Sequence, residues 1–133
     1  MTTREWLRAY AQLALRVNRR LTAGTGGTML IYQGPVGWSD EVTRESPPPA
    51  QRLVEDADRL LEQVPFDAER AAYVSAHVRA MRAVARRLGG EQAPLRDYAR
   101  RCLGVDVEWV PEEVFEAAHD QLDVALPKTG GSV

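Results

Sequence analysis

The chain has 133 residues, of which 44% are hydrophobic and 27% charged, and this is the composition of one ordinary globular domain. Sixteen of the 17 basic residues are arginine, but 19 acidic residues leave a net charge of -2, which argues against a general nucleic-acid-binding surface. The single cysteine, Cys102, excludes an internal disulfide and any CxxC motif for metal or redox chemistry.

Charged side chains interrupt the first ten residues, where a signal peptide would be apolar, and no stretch approaches the ~18 apolar residues of a membrane span. We therefore expect a cytoplasmic protein with neither a membrane nor a nucleic acid as partner, while homo-oligomerisation stays open. Residues 126–130 spell the LPxTG pattern that sortases cleave. The apolar segment and basic tail of a sortase substrate do not follow, so we interpret this match as a coincidence.

The first predicted helix covers about residues 3–22. Thr2 and Glu5 have the spacing of a capping box, and the apolar residues that follow keep a helical period. Residues 23–28 are rich in glycine, which frees the backbone and ends the helix.

The next part of the chain is predicted to be irregular and then helical. Residues 29–38 are apolar without a period, with a turn at Gly34-Pro35, and Ser39 is predicted to begin a short helix through about Arg44. Ser46 before three prolines suits the N-cap of a third helix that ends at Pro65.

Two further helices follow, each with a recognisable end. Asp67 is predicted to cap the longest remaining helix, and Gly89-Gly90 to stop it. Pro94 opens a short helix that Gly104 closes. The residues of this short helix that are expected to face inward are Leu95, Tyr98, Ala99 and Cys102.

The last part of the chain combines an extended segment with a final helix. Residues 105–110 alternate between apolar and acidic side chains, but the segment is too isolated to build a sheet. Pro111 is predicted to begin the last helix, and residues 127–133 to form a flexible C-terminal tail. The stripe of this helix that is expected to be buried consists of Val114, Phe115, Ala118, Leu122 and Ala125.

Together these elements predict an all-α fold of five to six antiparallel helices in a compact bundle with short connections, forming a single domain over residues 1–126. Doubled arginines fall in the last turns of three predicted helices, at 19–20, 86–87 and 100–101. Cations there complement the helix dipole. We interpret the doubled arginines as helix-end charges on a solvated face rather than as a phosphate site.

No complete catalytic or metal-binding set is present in the sequence. Glu116 and His119 have the Glu-x-x-His spacing of di-iron bundles, but the second copy of the motif is missing, so we interpret them as an exposed helical pair. His77 is predicted to be hydrogen-bonded and partly buried, and Cys102 to be a buried, inert thiol. We predict no catalytic residue, no metal ligand and no cofactor.

Three strings together resemble the N-terminal helical region of a large bacterial family, the HExxH-type, gluzincin-like zinc metallopeptidase homologues. The strings are Tyr32-x-Gly34-Pro35, the run from Tyr73 to Arg82, and Gly104-Val105 leading to Glu108-Trp109-Val110-Pro111-Glu112-Glu113-x-Phe115-Glu116. The resemblance covers about residues 6–126. It implies a scaffold that packs against catalytic helices located further along the chain. No HExxH occurs here, so it supplies no catalytic or zinc-binding residue.

We therefore expect a non-catalytic helical scaffold or interaction domain that packs on a catalytic domain or on a separate protein chain. We expect it to be the N-terminal part of a longer protein. Large aromatic side chains outside helical stripes either close a core or anchor a partner. The residues expected to face the partner or line a ligand site are Tyr32, Trp38, Val107, Trp109 and Val110. The alternative is a small stand-alone helical protein that binds an apolar ligand or a regulatory partner between its helices.

Overall fold

The computed structural model describes residues 1–23 and 29–126 and confirms the all-α bundle, with six helices and no strand in those ranges. The glycine-rich stretch 24–28 and the predicted tail 127–133 lie outside the described residues. The helices are α1 (Thr3–Leu21), α2 (Val36–Arg44), α3 (Ala50–Glu62), α4 (Ala68–Leu88), α5 (Leu95–Leu103) and α6 (Glu112–Ala125).

The predicted caps of α1 and α4 are both present. The Thr2 hydroxyl accepts a hydrogen bond from the Glu5 backbone N–H at 3.2 Å, and the Thr2 N–H donates to the Glu5 carboxylate at 2.7 Å. The bond from the Thr2 backbone, followed by that from its hydroxyl, lowers the pKa of Glu5. At α4, Asp67 accepts from the Arg70 backbone N–H at 3.1 Å. Each cap satisfies a donor that the first helical turn leaves unpaired.

Glycines end α4 and α5 as the sequence predicts. Gly90 lies just beyond α4 with a φ of 97°, and Gly104 follows α5 with a φ of 69°. Both angles fall in the left-handed region, which glycine enters without steric cost. The Gly104 N–H also donates to the Arg100 carbonyl at 2.8 Å.

The core lies between α1, α3 and α4. Trp6 is fully buried, and its indole N–H donates to the Leu60 carbonyl at 2.9 Å, which joins α1 to the end of α3. The Trp6 ring stacks on Tyr10 at 5.4 Å and meets the Phe66 ring edge-on at 5.3 Å. The other buried side chains of this core are Leu13, Val17, Leu53, Ala57, Leu60, Val74, Val78 and Ala85.

The starts of α2 and α3 differ from their predicted positions. The helix α2 begins at Val36, directly after Pro35, so Trp38 lies inside a helix rather than in a connection. Ser46 does not cap α3, which begins at Ala50. A residue that precedes proline is pushed out of the helical region, and Ser46, Pro47 and Pro48 each precede one. The helix can therefore start no earlier than Pro49, and it starts at the next residue, Ala50.

The doubled arginines do occupy the last turns of α1, α4 and α5, but their side chains do more than face solvent. Arg19 donates to the carbonyls of Val42 and Glu45 at 2.7 and 2.8 Å, and so caps the end of α2. Arg20 donates to the Pro48 carbonyl at 3.0 Å. The interpretation as a purely solvated face is therefore wrong for these residues, because the long arginine side chain reaches carbonyls of neighbouring elements.

The predicted burial of α5 and α6 is also wrong in part. Leu95 in α5 is 76% exposed, although Tyr98 and Cys102 are half-buried. The helix α6 packs against none of the other five helices, and Phe115 on its apolar stripe is 62% exposed. A helical period identifies an apolar face but does not supply the surface that covers it.

Candidate interaction surface

We define the C-terminal arm as residues 105–126, which comprise the extended segment before α6 and α6 itself. Every residue of the arm is exposed. Near its root it contacts α5 through Arg96, which donates to the Val107 carbonyl at 2.9 Å, and through an ion pair between Arg100 and Asp106. The arm is therefore tethered to the bundle by polar contacts while its apolar side chains stay uncovered.

Three of the five predicted partner-facing residues lie on this arm. Trp109 is 93% exposed, and Val107 and Val110 are 48% and 41% exposed. A tryptophan that buries so little of its surface is unusual in a folded domain, because the indole is mostly apolar. Contiguous exposed apolar surface of this kind is typical of a site that another polypeptide covers.

The other two predicted residues lie elsewhere and are half-buried. The Tyr32 hydroxyl donates to the Pro35 carbonyl at 2.9 Å, and its ring lies against Gly34, where an added Cβ would approach the hydroxyl oxygen within 2.5 Å. Tyr32 thus closes the turn that starts α2. Trp38 is part of α2, which makes no contact with α6. The structure therefore does not bring all five predicted residues into one surface.

The helix α6 adds a second apolar feature to the arm. Phe115, Ala118 and Leu122 are spaced by three and four residues, so they share one face of the helix, whereas Val124 projects from the opposite face. Sequence periodicity identified this stripe but predicted it to be buried. The carboxylates, which lie mainly away from the stripe, belong to Glu112, Glu113, Glu116, Asp120 and Asp123.

The histidines do not form a recognisable metal or acid–base site. Glu116 and His119 are exposed, as predicted, and the His119 ring nitrogen lies 3.8 Å from Asp123. His77 is exposed rather than partly buried; its ring nitrogen lies 2.9 Å from the Tyr73 carbonyl, and the two rings are 4.5 Å apart. Among the described residues, no group of three or more His, Cys, Asp or Glu side chains could hold a metal ion.

Arginines border two of the surface grooves in the described part of the bundle. One, of about 370 Å³, lies between α4 and the end of α5 and includes Arg79, Arg100 and Arg101. The other, of about 540 Å³, lies where α3 begins and α4 ends and includes Arg20 and Arg86. Carboxylates of the same chain already pair with Arg86, Arg100 and Arg101.

On α5, outside the lining of the first groove, burial, followed by a hydrogen bond with Cys102, raises the pKa of Tyr98. Cys102 lines this groove and is half-buried. The Arg87 guanidinium lies over the Tyr98 ring, 4.6 Å from the ring centroid. The contact between Arg87 and Tyr98 joins α4 to α5, the two helices that form the walls of the groove.

Comparisons with models of protein families, with curated proteins and with solved structures found no match. None of the helices in residues 1–23 and 29–126 is long and apolar enough to cross a bilayer.

Proposed function

We propose that this chain is a non-catalytic helical scaffold or interaction domain whose C-terminal arm packs on another polypeptide. The observation that carries the proposal is the uncovered apolar surface of the arm, with Trp109 at its start and the Phe115–Leu122 stripe on α6. Burying one such side chain stabilises a complex by roughly 1.5–3 kcal/mol. An arm of several apolar side chains therefore gains substantially from being covered.

The resemblance noted in the sequence supports one kind of polypeptide as that partner. The string around Trp109, Val110 and Pro111 resembles the N-terminal region of bacterial metallopeptidase-like proteins, and this resemblance implies a scaffold that packs against catalytic helices. We propose that the arm contacts such a catalytic part, in the same chain or in a separate one. The half-buried, unpaired Cys102 supports a reducing, cytoplasmic setting.

The alternative of a binding protein for an apolar ligand has no comparable support. The lining of the first groove is mostly apolar, but both grooves described above are open to solvent and have arginine on their borders. Sites for apolar ligands are lined mainly by hydrophobic and aromatic side chains with few polar groups. The exposed arm is thus the stronger basis for a function.

The proposal is tested by measuring the fluorescence of a dye that binds exposed apolar surface. The protein concentration is kept low enough for the chain to be monomeric. We expect the folded protein to bind the dye, and the double variant Phe115→Asp/Leu122→Asp to lose part of that signal while Trp109 stays exposed. Val124→Asp is the matched control, because Val124 is 89% exposed on the opposite face of α6. A folded wild-type chain that binds no dye would contradict the proposal.

A further inference from the structure

Charge is distributed unevenly between the helical bundle and the arm. Residues 1–104 contain sixteen arginines and twelve carboxylates, whereas the arm, residues 105–126, contains seven carboxylates and neither arginine nor lysine. The net charge of -2 therefore arises from a basic bundle and an acidic arm whose charges largely cancel. Surfaces of opposite sign attract each other and favour a defined orientation on contact.

The groove between α4 and α5 combines cationic and apolar groups in the way that an acidic, amphipathic helix requires. Arg79 forms no ion pair with any carboxylate in the described residues. Arg100 and Arg101 border the other side; they pair with Asp106 and Glu91 of the same copy, and their side chains remain 57% and 47% exposed. Between these arginines the groove also includes Ala76, Ala80 and Leu103.

Small side chains in the groove allow a helix to approach closely. Ala76 and Ala80 are one turn apart on α4, so they leave a shallow channel along its surface. With its 14 residues, α6 is about 21 Å long, which is shorter than the 21-residue α4 that would support it. The groove itself includes α4 only from Ala76 to Ala80, so only part of α6 would lie in it.

We propose that α6 of one copy of this chain docks in the α4–α5 groove of a second copy, with the same contact repeated in the opposite direction. Phe115, Ala118 and Leu122 would face the alanines, and the neighbouring carboxylates the arginines. Two identical contacts form a closed, two-fold dimer. This inference rests on the proposed interaction function, and it gives α6 a second copy of this chain as partner in place of a catalytic part. Within a single copy α6 contacts neither α4 nor α5.

The test is sedimentation velocity of the full chain over a range of micromolar concentrations. We expect a monomer–dimer equilibrium that the double variant Phe115→Asp/Leu122→Asp abolishes and that Val124→Asp leaves unchanged. Circular dichroism checks that each variant is folded. All three positions are exposed, so the substitutions remove no core contact.

The groove is tested separately with Arg79→Glu, which replaces attraction by repulsion and is expected to weaken dimerisation roughly tenfold. The matched control is Arg4→Glu, an exposed arginine of α1 outside the groove.

The outcomes separate this inference from the proposed function. A wild-type monomer that binds the dye refutes the second copy as partner but keeps the interaction function. A folded monomer that binds no dye refutes both. A dimer that withstands the α6 double variant or Arg79→Glu places self-association elsewhere and overturns the proposed contact.

Discussion

Trp6 shows how one side chain joins distant parts of this fold. Its indole is fully buried and donates to the Leu60 carbonyl, 54 residues along the chain. The helical period of the sequence places Trp6 on the apolar face of α1, but no local pattern identifies its hydrogen-bond acceptor. An interior position can thus be predicted from spacing, whereas a polar partner across the core depends on tertiary packing.

We expect Trp6→Phe to lower the free energy of unfolding by about 2–3 kcal/mol. The smaller ring leaves a cavity, and the buried Leu60 carbonyl loses its donor. Urea unfolding followed by circular dichroism measures the change. Trp109→Phe is the matched control and should alter stability little, because Trp109 is 93% exposed. Equal losses from both substitutions would show that Trp6 has no special role in the core.

At the scale of elements, polar contacts hold α2 against α1. Arg16 donates to both oxygens of the Glu45 carboxylate at 2.6 and 2.9 Å, and Arg19 caps the end of α2. Gln12 donates to Glu41 at 2.7 Å. Val42 alone among the residues of α2 is buried. The sequence predicted a short helix here, but the arginine contacts that position it could not be predicted because they join residues more than 20 positions apart.

The carboxylate of Glu41 gives this contact a pH dependence. Hydrogen bonds from Arg8 and then Gln12 lower its pKa. A carboxylate with a lower pKa in the folded state adds stability above its unfolded pKa, and that stability is lost as the pH falls through the folded pKa. We expect Glu41→Gln to lose stability relative to wild type at pH 7, and this difference to vanish under acid conditions.

Urea unfolding at a series of pH values measures this difference, and an NMR titration reports the pKa of Glu41 directly. Glu62→Gln is the matched control, since Glu62 is exposed at the end of α3 and forms no ion pair in the described part of the chain. If Glu41→Gln and Glu62→Gln respond identically to pH, the contact with Arg8 does not stabilise the fold.

For the whole molecule, the sequence predicted the helical class and most helix ends, because caps and terminal glycines are local signals. It predicted the apolar stripe of α6 but not its exposure, since whether a face is covered depends on a surface outside the helix. The sequence therefore places Phe115 and Leu122 in the core. It places Trp109, which lies outside any helical stripe, on a partner surface. Both assignments follow from the same rule, that large apolar side chains tend to be covered.

We expect a chain that ends at Gly104 to fold with the same core and a melting temperature within a few degrees of the full chain. Every buried side chain of the described structure lies before Gly104, and α6 supports none of the other helices. Calorimetry of the shortened and full chains makes the comparison at low concentration, where self-association adds no stability. A large fall in melting temperature would mean that the arm packs on its own bundle, and the exposed surface that supports the proposed function would then be covered in the free protein.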